Sequence, residues 1–191
     1  MKHRMRAYAL FIAAALMLTA CGDGGRPAPT PDRLAFSLTT LDGGTFNGSS
    51  LRGKPGVLWF WAPWCTICRA EAPEVGRAAE RFKGKVTVVG VPGRGQVAVM
   101  RQFVKDTGLG HLTHAVDSDG RLWAAFGVAS QPAFAFIDRT GAVEMFTGSL
   151  PPADLTARMT ALSPERPDQA GFPHRTCQLA DTTAATPARL R

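Results

Sequence analysis

Residues 57–73 read Val57-Leu58-Trp59-Phe60-Trp61-Ala62-Pro63-Trp64-Cys65-Thr66-Ile67-Cys68-Arg69-Ala70-Glu71-Ala72-Pro73, and the fold turns on how they divide. Val57 to Trp61 is wholly apolar and stands between Pro55-Gly56 and Pro63, the pattern of a short strand buried on both faces. From Cys65 to Phe82 the residues are helix formers with Pro73 inside, which predicts a helix starting near Cys65 and kinked at Pro73. Two thiols three positions apart therefore meet the first turn of a helix. Orphan N–H groups and the positive end of the helix dipole favour a thiolate on the first of them, and Cys-X-X-Cys thiols at helix starts have depressed pKa values. Cys65 is expected to be the exposed, ionised, attacking thiol. Cys68, one turn further in and nearer Glu71, is expected to stay protonated until it resolves a mixed disulfide.

The pair has two other possible uses. As a stabilising crosslink, a loop of four residues contributes only about 2 kcal/mol by chain entropy. As half of a zinc or copper site it needs two more ligands at metal-site spacing. His111 and His114 are distant in sequence, and His174 and Cys177 lie in a polar tail. No metal and no other cofactor is expected.

Working outward, residues 34–46 alternate loosely around Leu41-Asp42-Gly43-Gly44 and predict an opening hairpin. Residues 85–91 form a second β-branched strand. Residues 96–107 carry Val97, Met100, Phe103 and Val104 at helical spacing, with Gly108 as the stop. A short helix at 122–126 precedes strands at 133–137 and 143–146, which flank the turn Asp138-Arg139-Thr140-Gly141. Residues 152–162 begin Pro-Ala after Pro151 and repeat Leu155, Met159 and Leu162, a closing helix. The order predicts an α/β fold with a central mixed sheet flanked by helices on both sides.

The segment 59–71 resembles the active site of the thioredoxin superfamily. Its continuation, Cys68-Arg69-Ala70-Glu71-Ala72-Pro73, is similar to the TlpA/DsbE-like branch, especially the DsbE-like and DsbF-like secreted thiol-disulfide oxidoreductases of actinobacteria. The resemblance runs from about Leu34 to Leu162 and implies a thioredoxin-like fold. Read alone, Pro132 is an ordinary trans turn proline. The resemblance places it as the family's cis-proline facing Cys65, with the backbone of Gln131 pairing with an extended substrate. Trp59 stands where thioredoxin has a buried Asp, six residues before the first cysteine. Glu71 has two readings, an exposed glutamate favoured by the helix dipole or the functional acid that the branch carries at the matching place. Trp64 and Trp61 flank the dithiol as an apolar platform for substrates, although Trp61 reads equally as core.

The implied activity is exchange with exported proteins bearing thiols or disulfides, together with a membrane redox partner. The branch includes reductants for cytochrome c maturation, which typically carry Glu directly after the cis-proline. Ala133 occupies that position and favours an oxidant. A thiol peroxidase is disfavoured because Thr66 stands two residues before Cys68 rather than three. A copper chaperone of the kind with three residues between its cysteines is disfavoured by the two-residue spacing.

The ends read as address and tether. Lys2, Arg4 and Arg6 precede an apolar run at 7–18, which spans only about 18 Å as a helix and is too short for a bilayer core. Residues 1–20 are a secretory signal, and Leu18-Thr19-Ala20-Cys21 resembles a bacterial lipobox, implying lipidation of Cys21. Residues 21–32 are then a flexible tether, 33–162 the folded domain and 163–191 a disordered tail in which Cys177 is an idle thiol. The net charge is +7, but residues 32–162 hold 14 Lys or Arg against 11 Asp or Glu. Bases mingle with Glu71, Glu74 and Glu80 in the manner of a solvated helix surface, so no nucleic-acid partner is expected. Intact-mass analysis of the native protein should find an acylated Cys21 at the N-terminus; an unmodified start elsewhere would exclude the anchor.

Overall fold

A computed structural model describes residues 32–163. The signal segment, Cys21, the tether and the tail beyond Ser163 with Cys177 lie outside those residues. The order of elements is β1 (Ser37–Thr39), β2 (Thr45–Asn47), a 3-10 turn (Gly48–Leu51), β3 (Gly56–Trp61), α1 (Thr66–Arg81), β4 (Thr87–Pro92), α2 (Val97–Thr107), β5 (Thr113–His114), α3 (Arg121–Ala125), β6 (Ala133–Ile137), β7 (Val143–Thr147) and α4 (Pro152–Leu162). Strands β1 and β2 form the predicted antiparallel hairpin. The others form one sheet in the order β5-β4-β3-β6-β7. Its β5, β4 and β3 run parallel, while β6 and β7 join antiparallel. The element order predicts this mixed sheet, and the resemblance implies its thioredoxin-like form. Strand β5 is only two residues long, too short for any periodicity to announce it.

All six residues of β3 are buried, because the strand lies at the centre of the sheet and is covered on both faces. The two-residue period then sorts its side chains between two cores. Val57, Trp59 and Trp61 pack with Cys68, Ala72 and Val75 of α1, Met100 and Phe103 of α2, and Leu155 and Met159 of α4. Leu58 and Phe60 point the other way, to Leu122 and Trp123 of α3, Phe126 and the hairpin residues Phe36, Leu38 and Phe46. Trp61 is core rather than platform. It stacks on Phe103 with ring centroids 4.3 Å apart and meets the His114 ring edge-on at 5.6 Å.

The helix ends follow their local chemistry. Gly108 takes the left-handed conformation that a C-terminal stop requires, with φ +71°. Helix α1 continues through Pro73 to Arg81. Asp117 is buried, and its carboxylate accepts the N–H groups of Leu122 and Trp123 at 3.2 and 2.7 Å. It thereby satisfies two orphan donors at the start of α3, while burial pushes its pKa up.

His114 is buried on β5, its Nε2 is 3.1 Å from the Leu109 carbonyl, and burial lowers its pKa to about 4. Strand β4 makes room for it with Gly90. A Cβ there would lie 2.2 Å from His114 Nδ1 and 2.9 Å from Trp61 Nε1, both parts of rigid buried rings. Gly90→Ala is therefore expected to destabilise the domain by about 1–3 kcal/mol, as overpacking does, measured by urea unfolding. An unchanged midpoint would mean the rings shift freely.

Candidate active site

The chain leaves β3 at Trp61, turns through Ala62-Pro63-Trp64 and enters α1 at Thr66, which makes Cys65 the N-cap. The Cys65 N–H donates to the Ala62 carbonyl at 3.1 Å and the Cys68 N–H donates to Cys65 Sγ at 3.0 Å. A cap normally offers an oxygen to the first-turn amides. Here a sulfur fills that role, so an orphan donor and the positive end of α1 both act on the atom that must carry negative charge. Cys65 and Cys68 are joined in a disulfide.

Sequence reasoning placed Cys65 in the open, and the structure corrects this. Cys65 is 7% exposed and Cys68 not at all. Cys65 is the less enclosed of the two, and Cys68 is sealed in the core. Exposure belongs instead to the flanking Trp64 (59%) and Ile67 (54%), two apolar side chains next to the cysteines in the chain. Trp64 is held by a 2.7 Å bond from its Nε1 to the Arg94 carbonyl.

Glu71 also departs from the solvated helix surface among whose charges it was counted. It is buried at 7% exposure on the face of α1 that carries Cys68 and Ala72 into the core. Its Oε1 accepts from Trp59 Nε1 and its Oε2 from Ser149 Oγ, each at 2.8 Å. Burial raises its pKa, and the Ser149 and Trp59 hydrogen bonds hold the rise back. Trp59 thus replaces an acid on β3 with a donor, and the acid itself sits on the helix, three residues after Cys68.

The Gln131–Pro132 bond is cis. It precedes β6, which pairs with β3 through Phe60↔Ala133, so the loop before β6 lies at the same sheet end as the loop after β3. Gln131 is half-buried and its Oε1 accepts from Arg94 Nη1 at 3.4 Å. Ala133 is fully buried. Two neighbours had no clear signal in the sequence: Ser149, an exposed serine before α4, and Arg94, marked only by the glycines on either side. No group of three or more His, Cys, Asp or Glu able to hold a metal occurs among the described residues.

A Cys-X-X-Cys disulfide at the start of the helix that follows the central strand of a mixed sheet defines a thioredoxin-like thiol-disulfide oxidoreductase. The chain belongs to the AhpC/TSA family, whose model matches residues 25–146. It is 40% identical over 158 residues to the soluble secreted antigen MPT53 of Mycobacterium tuberculosis, covering 81% of this chain and 90% of that protein. Among solved structures, MTB dsbF in its mixed oxidized and reduced forms shares 50% identity at a TM-score of 0.67, over 69% of this chain and 98% of that one. A secreted Mycobacterium tuberculosis disulfide oxidoreductase shares 41% at a TM-score of 0.65, over 69% and 99%.

The Glu71 environment has a signed consequence for stability. Its folded pKa is raised above that of the unfolded chain, so between the two values folding takes up a proton and stability falls as pH rises. Below the unfolded value there is no such loss. Glu71→Gln lacks this titration, so its stability relative to the wild type should increase from about pH 4 to neutrality, as followed by denaturant unfolding at each pH. Parallel pH profiles would show that Glu71 ionises in the fold as readily as in the unfolded chain.

Proposed function

We propose that the protein oxidises pairs of thiols in exported proteins outside the cytoplasm, held to the membrane by lipid on Cys21. A substrate thiolate attacks Sγ of Cys65, the less buried residue of the pair; the Cys65–Cys68 bond breaks and Cys68 leaves with its electrons. A thiolate is costly in the sealed position of Cys68, and Glu71, whose pKa burial raises, lies three residues further along the same helix as the group that passes it a proton. The second substrate cysteine, having given its proton to solvent, then attacks the substrate sulfur of the mixed disulfide as a thiolate, and Cys65 departs as a thiolate stabilised by the start of α1. The substrate gains a disulfide, and the protein is left with the Cys68 thiol and the Cys65 thiolate. A membrane redox partner removes the two electrons and restores the disulfide. Trp64 and Ile67 offer apolar contact to an unfolded segment, and the backbone of Gln131 beside Pro132 offers extended pairing.

The observation that carries the oxidising direction is Ala133. The cytochrome c maturation reductants of the branch typically have Glu at that position, whereas this chain has a fully buried methyl side chain on the first residue of β6. The similarity to secreted relatives supports the extracytoplasmic address. The alternative is a reductase serving cytochrome c maturation or other extracytoplasmic thiols. The decisive quantity is the equilibrium reduction potential of the Cys65–Cys68 pair. An oxidant should lie well above thioredoxin's roughly −270 mV, and a value at or below it would assign the reductive role.

A further inference from the structure

The loop Gly93-Arg94-Gly95 follows β4 and lies against the segment leading to the dithiol. The Gly93 N–H donates to the Trp61 carbonyl at 3.0 Å, and a Cβ on Gly95 would lie 2.5 Å from Pro63 Cγ. Between the glycines, Arg94 has φ +54°, the one positive φ on a non-glycine among the described residues. A side chain in that conformation carries backbone strain that glycine would avoid. Arg94 Nη2 donates to the Ala129 carbonyl at 3.1 Å and its Nη1 to Gln131 Oε1 at 3.4 Å, while the guanidinium lies 4.9 Å from the Trp123 ring centroid.

These contacts fix the group without neutralising it. Arg69, Arg77, Arg121 and Arg158 each pair with a carboxylate, of Asp106, Glu74, Asp119 and Glu144 respectively, but Arg94 forms no ion pair among the described residues. Two of its five N–H donors are engaged by neutral oxygens. Its carbonyl meanwhile holds Trp64, the residue before Cys65, and its side chain holds Gln131, the residue before Pro132. An uncompensated, preorganised positive charge thus bridges the two segments that frame the reactive sulfur.

We propose that Arg94 is a specificity-determining residue that favours substrate segments carrying a carboxylate beside the reacting cysteine. This rests on the exchange reaction proposed above and names its substrate class. The guanidinium fork presents planar donors that suit a carboxylate, and an apolar neighbour at Trp64 accommodates the rest of the segment.

The test reduces the oxidised full-length protein with three dithiol peptides that differ only in Glu, Gln or Lys beside the first cysteine. The readout is the ratio of second-order rate constants for Glu over Lys in each variant, which cancels any general loss of activity. Arg94→Gly accepts the left-handed backbone and keeps the carbonyl for Trp64 while removing the cation, so dividing the wild-type ratio by its ratio also cancels the peptides' own reactivities. The expected quotient is about threefold at low salt, the scale of an exposed ion pair, falling towards one near 1 M salt. Arg94→Lys should retain a wild-type-like ratio. Equal ratios in wild type and Arg94→Gly, or a quotient indifferent to salt, would overturn the assignment and leave the exchange reaction standing. Failure of the wild type to react with the Gln peptide would overturn both.

Discussion

The site depends on one junction, where a strand buried on both faces runs into a helix whose cap is a sulfur. Strand β3 has no freedom to shift, since Trp59, Trp61 and Phe60 are locked into cores on opposite sides of the sheet. Its end therefore delivers Cys65 to a fixed point. At that point the Cys68 amide must find a partner, and Cys65 Sγ supplies it. The same hydrogen bond that begins α1 favours charge on the sulfur, so folding the helix and activating the thiol are one event. Cys68 is sealed beneath it, so the two sulfurs stand in different surroundings.

Glu71 shows how a buried acid is satisfied from a strand and a loop at once. A carboxylate in place of Trp59 would sit beside the stacked rings of Trp61 and Phe103, in an aromatic part of the core. Trp59 fills that place and extends its indole N–H to Glu71 on the neighbouring helix. Burial works against ionisation there, and two donors moderate the effect. The result is a carboxyl poised to hold a proton yet not stranded without hydrogen bonds.

Much of this was legible in the residues. The apolar run at 57–61, the Gly108 stop and the Pro-led closing helix each state their structure through local chemistry, and the observed elements match them within a residue or two. The Cys-X-X-Cys pair was legible for the same reason, since a helix start acts on nearby thiols wherever it occurs. What stayed hidden depends on contacts distant in sequence. Whether Glu71 faces water or core is set by Trp59 and Ser149, twelve and seventy-eight positions away. Helical spacing alone permits both. Arg94 is hidden more deeply, because its significance lies in a backbone angle and in partners from two loops and helix α3. The shielding of Cys65 was missed because a motif tells which atom reacts and not how its surroundings crowd it.

The placement of Cys65, Cys68 and Glu71 along one helix has a mechanical consequence. Their spacing is set by helical pitch and by backbone bonds within α1, not by how well that helix docks on the sheet. Breathing of the domain, or pressure from a bulky partner pushing between loops, would tilt the three groups together as one rigid body. Access to the sulfur would change while the register between Cys65, Cys68 and Glu71 would not. A catalyst that must admit polypeptides of unpredictable shape gains tolerance from such an arrangement, since the parts that need accuracy are carried on a single rod and the parts that need give lie in the loops around it.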